Sequence, residues 1–299
     1  MKSKLFLAAV VFSIGFSTRG ATIFAPITAD TTIFELNPTF NLGNTLLGAG
    51  AINLTAPGGE NLARMRALMK FSLFPVPTNA IITSARLDVT VVRVPPLPDT
   101  GSTFELHRLL KDWGEGVGSG LRGIDANPGE ATWLAPMSPS PAWGLPGASD
   151  VTDSIQATSS SALMDGLDTY EFSSTATMVT DVQHWVLHPE TNFGWLMKST
   201  AEDVNESARR FANRESGDQA PSLIITYELP GPRPQIVEFE FRPDGMYLAW
   251  VGGVAPFQVE RAVNLSGPWV AASATSDATQ ALVPADLENA FYRIVSAVP

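Results

Sequence analysis

Cysteine is absent from the 299-residue chain, which excludes disulfides, thiolate metal sites and cysteine nucleophiles together. Histidine is nearly absent: His107, His184 and His188 are the whole supply of imidazole for acid–base chemistry. Charged residues make up only 16%, and their balance is acidic, with a formal net charge of −11. A surface of that sign repels phosphate backbones and argues against nucleic acid as a partner. No apolar run is long enough to cross a bilayer, so no membrane span is expected. Against these absences stand 44% hydrophobic residues, enough for a sizeable core, interrupted by 24 glycines and 23 prolines. Gly and Pro break helices and end extended segments, so the composition favours many short strands joined by turns.

The N-terminus carries an export pattern. Lys2 and Lys4 precede a twelve-residue apolar run at 5–16, and the small residues Ser17, Thr18, Gly20 and Ala21 follow it. This predicts a signal peptide over residues 1–20, cleaved after Gly20. Its removal takes Lys2, Lys4 and Arg19 away and moves the charge from −11 to −14. The expectation is a soluble, secreted or cell-surface protein, and export without disulfides suits a bacterial source.

Period-two alternation recurs along the chain. In residues 81–92, Ile81, Ala85, Leu87, Val89 and Val91 alternate with Ser84, Arg86, Asp88 and Thr90. Ala67, Met69, Phe71 and Leu73 alternate with Lys70 and Ser72, and Leu223, Ile225, Tyr227 and Leu229 with Ser222, Thr226 and Glu228. Residues 103–108 and 194–198 are further strand candidates. Such half-buried alternation between turn-rich spacers predicts an antiparallel β-sandwich. One segment has the other period: Met178, Val182 and Trp185 at i, i+4 and i+7 predict a short helix over 177–187. Thr177 is its expected cap, Asp181 favours its positive end, and His188-Pro189 stops it. Residues 114–168 are rich in Gly, Pro, Ser and Trp and lack periodicity, predicting long loops of the kind that often carry function. Pro230, Pro232 and Pro234 mark a stiff linker. Beyond it, five to seven short strands predict a small immunoglobulin- or fibronectin-III-like sandwich. The expected plan is a signal peptide at 1–20, a sandwich at 21–229, a linker at 230–235 and a second sandwich at 236–299.

An ordered series of short motifs runs through the first of these domains. Ala29-Asp30 is followed by an Asn41-Leu-Gly43 turn, then by Arg66-Ala-Leu-Met-Lys70-Phe71-Ser-Leu73 with Val76-Pro77, then by Ile82-Thr-Ser84-Ala85-Arg-Leu87. Trp113-Gly-Glu115, Trp133, Trp143 and Gly147, Val182-Gln183-His-Trp185 with Asn192-Phe-Gly194, Phe211-Ala-Asn213-Arg214-Glu215, and Pro221-Ser-Leu223-Ile-Ile-Thr226-Tyr227 complete it. In this order they resemble the DNRLRE-domain family, carbohydrate-binding-module-like β-sandwiches of secreted bacterial proteins, over roughly residues 29–228. Ser72, where Asp is common, and Asn213, where Ser is common, depart from the pattern. The resemblance implies a jelly-roll-like sandwich and polysaccharide binding; some relatives bind alginate. The tail, with Phe257 to Arg261, Gly267-Pro-Trp269 and Phe291-Tyr-Arg293-Ile294, is similar to C-terminal modules of large secreted bacterial proteins.

Candidate chemistry is sparse. No Gly-x-Ser-x-Gly elbow is present, and alternation places His107 on the solvated side of its strand. His184 and His188 have helical metal-ligand spacing, but Trp185 stands where a helical zinc protease needs Glu. Asp125, Asn127 and Glu130 space oxygens as a calcium loop does, and Asp30 and Asn41 are further candidate ligands; calcium there would be structural. For sugar binding, Trp113, Trp133 and Trp143 supply aromatic faces, and Arg66, Lys70, Arg108, Lys198, Arg210 and Arg214 supply polar and cationic partners. Arg210 and Arg214 are expected to share a basic stripe on one sheet face, while Trp185 and Trp195 belong to the core. The expectation is a non-catalytic protein that binds polysaccharide or cell-surface glycan. The alternatives are a polysaccharide lyase or hydrolase working from the 114–168 loops, and a purely structural envelope protein.

Overall fold

In a computed structural model of the protein, residues 20–57, 59, 61–95, 101–229, 233–284 and 290–296 are described. The predicted signal peptide, apart from Gly20, and linker residues 230–232 lie outside them. The chain forms two compact units, Gly20–Glu228 and a second that begins at Leu229.

The first unit opens with β1 (Ala21–Ala25), β2 (Ile27–Phe34), β3 (Phe40–Asn41), β4 (Leu47–Ile52) and β5 (Ala63–Phe71). There follow β6 (Ile81–Arg93), β7 (Ser102–Arg108), β8 (Ile124–Asp125), β9 (Ser160–Met164) and β10 (Thr169–Phe172). Helix α1 (Ala176–Leu187) precedes β11 (Trp195–Ser199), β12 (Arg209–Phe211) and β13 (Ser222–Glu228). All ladders are antiparallel. One sheet holds β1, β13, β6 and β10. In the other, β5 pairs with β2 along most of its length and with β11 and β4 in succession, and β11 continues to β7 and β9. The short β12 links the two, pairing with β6 and with β4. The unit is an all-β sandwich with one helix.

From Ala85 onward the alternation in β6 does what its period requires: Ala85, Leu87, Val89 and Val91 are buried and Arg86 is exposed. Before it the phase changes, against expectation: Ile81 and Thr83 are exposed and Ile82 is buried, where the β13–β6 register shifts between Thr226 and Tyr227. Inward residues of both sheets meet in an aromatic core. Phe104 stands edge-on to Phe211 at 5.4 Å, and Trp195 packs against Trp185 of α1 at 4.6 Å. The helix is tied to the sheet through Gln183, whose Oε1 accepts from Ile82 N and whose Nε2 donates to Ala80 O.

Two details of the helix differ from expectation. Its cap is Thr175, whose Oγ1 accepts from Met178 N, and Thr177 is exposed inside the first turn. Asp181 is buried and engaged by Arg108, Ser159 and Trp195, so it organises the core and does not serve the helix's positive end.

The 109–155 segment forms a third layer. Trp113, Trp133 and Trp143 join Leu109 and Ala131 against the outward residues Ile33, Leu68 and Leu196 of β2, β5 and β11. Both faces of β5 are therefore covered, which is why seven of its nine residues are buried.

The second unit contains β14 (Gln235–Arg242), β15 (Gly245–Val251), β16 (Phe257–Ala262), β17 (Val270–Ala271), β18 (Gln280–Val283) and β19 (Phe291–Ser296). They form two three-stranded antiparallel sheets, β14-β15-β18 and β17-β16-β19. Leu248, Trp250, Phe257, Val259 and Val283 are its core, with Trp250 and Phe257 edge-to-face at 5.6 Å.

Candidate functional site

At the junction of β4, β12 and β6, three residues lie in one cross-strand row: Gly48, Arg210 and Arg93. A register shift between Arg210 and Phe211 breaks the β12–β6 ladder here and sets the two arginines directly opposite one another. Like charges in that position destabilise a sheet. Its two arginines line a cavity of about 340 Å³ floored by Phe34, Ile52, Leu54 and Met65, with Arg122 and Glu206 also on its wall. Phe34 and Met65 come from a buried apolar cluster that supports the floor.

The charges around this cavity are unbalanced. Arg64, Arg66, Lys70, Arg86, Arg108, Lys111 and Arg214 in the same unit each pair with a carboxylate. Among the described residues, no carboxylate lies within ion-pair distance of Arg93, Arg122 or Arg210, and Glu206 pairs with none of them. Among the described residues, the polar contact of the Arg210 guanidinium is Met65 Sδ, 3.7 Å from Nη1. Burial, and then the Arg93 charge, hold the Arg210 guanidinium below its ordinary pKa. A half-buried cation beside a second cation, with no counter-ion among the described residues and above an apolar floor, has the chemistry to accept an anion.

Of the expected sugar-binding residues, only Arg210 faces this cavity. Trp113, Trp133 and Trp143 are 3%, 5% and 4% exposed, so no ring face is free to stack on a sugar. The indole N–H of Trp113 donates to Phe193 O and that of Trp143 to Thr132 O. Arg66 is buried: it bonds both oxygens of Glu202, donates to Gly147 O and Ser149 Oγ, and lies over the Trp133 ring. Lys70 bonds Asp112 and sits over Trp113; Arg108 pairs with Asp181; Lys198 stands opposite Glu105. Arg214 leaves the strand, bonding Glu115 with Nε and Nη2 and Glu215 with Nη2, so Arg210 and Arg214 form no stripe. The aromatic reading failed because the Trp-rich loops turn inward over β5 and β11, burying apolar surface that would otherwise face water.

The expected calcium ligands are also engaged otherwise. Asn41 donates to Glu115 O and Ala131 O and accepts from Gly43 N and Gly118 N, clasping the 115–118 loop with both ends of its amide. Glu130 accepts from Val117 N, Asn127 N and Asn127 Nδ2, closing a turn, and Asp125 is exposed on β8. Asp30 is buried: its Oδ2 accepts from Arg214 N and its Oδ1 has no partner. The Arg214 guanidinium, held by Glu115 and Glu215, supplies the positive charge beside it. Among the described residues, no group of three or more His, Asp or Glu side chains is placed to hold a metal ion. His107 is 3% exposed because the 155 loop covers it; Nδ1 meets Ile155 O and Nε2 meets Glu105. Burial and the Lys198 charge lower its pKa. His184 and His188 stack at 4.9 Å near the helix end.

Arg93 and Arg122 were missed by the sequence reading. Arg93 did leave a trace: it is the next odd position after Ala85, Leu87, Val89 and Val91, where a continuing strand would place another apolar side chain. Arg122 left none, since it reaches the cavity from a loop.

No helix among the described residues is long and apolar enough to cross a membrane. No known family model matches this chain, and no curated protein is similar to it.

Proposed function

We propose that the Gly20–Glu228 sandwich is a non-catalytic binding module for a polysaccharide or cell-surface glycan that bears negative charge. The observation that carries this reading is the pair of facing arginines, joined by Arg122, that no carboxylate among the described residues pairs with, above an apolar floor. Arginine forks match carboxylate and sulfate oxygens, and the C–H face of a pyranose ring suits the half-buried Ile52 and Leu54 of the cavity floor. The 114–168 loops give the lyase or hydrolase reading no support: their aromatic residues are buried, and His107, the imidazole nearest them, is enclosed.

The test is calorimetric titration of the full chain with a uronic-acid oligosaccharide and with a neutral one of equal length, with product analysis on the same samples. The acidic sugar should bind without being cleaved, and Arg93→Ala and Arg210→Ala should each weaken it about tenfold or more. Equal affinity for both sugars, or cleavage of either, would overturn the proposal.

A further inference from the structure

Arg210 is an odd occupant of its position. Its direct cross-strand neighbour on one side is another arginine, and no carboxylate holds it. A long, flexible cation in that situation should swing away into water, where it is solvated and farther from Arg93. What keeps the guanidinium beside Met65 must lie on its other flank, and that flank is Gly48.

Gly48 is buried on β4, and its N–H is held by Thr32 Oγ1. Alternation sends Leu47, Ala49 and Ala51 to the face that is wholly buried, and Gly48 to the opposite face, where Arg210 lies. A Cβ at Gly48 would come within 2.7 Å of Arg210 Nη1, 3.2 Å of Met65 Sδ and 3.4 Å of Arg210 Cδ. The guanidinium therefore lies in the space that any other residue's side chain would fill. Glycine weakens a strand interior, and a buried strand glycine marks close approach by another group. Here that group is the end of an arginine.

We infer that Gly48 is the positioning residue of the anion pocket: its missing side chain forms the slot that holds the Arg210 guanidinium over the apolar floor. The inference rests on the proposed function for its ligand, but the slot itself does not depend on it. Because the closest atom is the free end of a flexible side chain, a methyl group at this position displaces Arg210 and leaves the backbone in place. Gly50, two residues on, is different: a Cβ there would strike the Ala208 backbone at 2.6 Å.

The experiment combines a double-mutant cycle with a ligand-independent reporter. Gly48→Ala, Arg210→Ala and the double variant of the full chain are titrated with the uronic-acid oligosaccharide. The Nε–H resonance of Arg210 is followed without ligand in the wild type and in Gly48→Ala. Gly48→Ala should lose affinity to nearly the extent that Arg210→Ala does, about tenfold. The double variant should lose no more than Arg210→Ala alone, and Gly48→Ala should move the Arg210 Nε–H resonance to that of a solvent-exposed arginine. A Gly48→Ala protein with wild-type affinity, or losses that multiply in the double variant, would overturn the inference. If the wild type binds no acidic sugar, the functional reading fails by itself. The Arg210 Nε–H then decides the slot: an unchanged resonance in Gly48→Ala overturns it, and a shift to the solvent-exposed value sustains it.

Discussion

Asp30 is fully buried, its Oδ1 meets no donor, and its neighbours Glu115 and Glu215 carry its own sign. Burial first, and those two carboxylates second, push its pKa from 3.8 up to about 7, against the Arg214 N–H and guanidinium, which favour the ionised form. The folded state thus holds this proton more tightly than the unfolded chain does. Its contribution to stability is complete below the unfolded value near pH 4 and is lost as pH rises toward 7. Asp30→Asn should therefore gain on the wild type across that window, by up to a few kcal/mol in urea titrations. A difference that stays constant from pH 4 to 8 would refute the assignment. Arg66 sets the opposite case. Removing it strands Glu202 and the Gly147 carbonyl in a buried place, so Arg66→Ala should cost about 3–5 kcal/mol. Arg86→Ala, which breaks the exposed pair with Glu171, should cost about 1 kcal/mol or less. Both residues look alike in the sequence, as arginines on alternating strands. Burial on the outer face of β5 separates them, and that burial comes from loops as far as 136 residues away.

At the scale of elements, α1 shows how far periodicity reaches. Met178, Val182 and Trp185 are buried as their spacing requires, but the cap fell two residues from the expected one. Thr175 also donates its hydroxyl to Ser159 O, which ties the helix start to the end of the loop layer. Thr175→Ala should therefore lower stability by about 1–2 kcal/mol, and Thr177→Ala should stay within about 0.5 kcal/mol, both by chemical denaturation. Strands with an alternating pattern, β6, β7 and β13, were legible because one face of each carries several polar residues, even though loops cover His107 of β7 and Ile224 of β13 is buried. Strands β2, β4 and β12 were not. β2 ends in a run of five buried residues, β4 is nearly all buried, and β12 is three residues long. A strand covered on both faces has no polar rhythm to read, and a three-residue strand has no room for one. The tryptophans failed for a related reason. An aromatic residue in a Gly- and Pro-rich loop reads the same whether the loop folds outward to a ligand or inward over a sheet.

For the whole molecule, the acidic balance and the basic pocket act over different distances. On the proposed function, a net charge of −11 would repel an anionic glycan from afar, while Arg93, Arg122 and Arg210 would attract it only at contact. Added salt should therefore speed association by screening the repulsion, and should also speed dissociation by weakening the arginine contacts. Stopped-flow measurements between 20 and 200 mM salt should show both rates rising. An association rate that falls with salt would mean that the arginines dominate at long range. Composition and periodicity by themselves determined the all-β class, the short helix and the absence of thiol chemistry, because they depend on nearest neighbours and on a chain's own period. Only the tertiary structure decided which cations are free. Arg66 and Arg210 come from strands with similar local patterns, yet one meets Glu202 and the other meets Arg93 and an empty place at Gly48. Charge pairing is a property of residues brought together across the sandwich, and no local pattern in the chain records it.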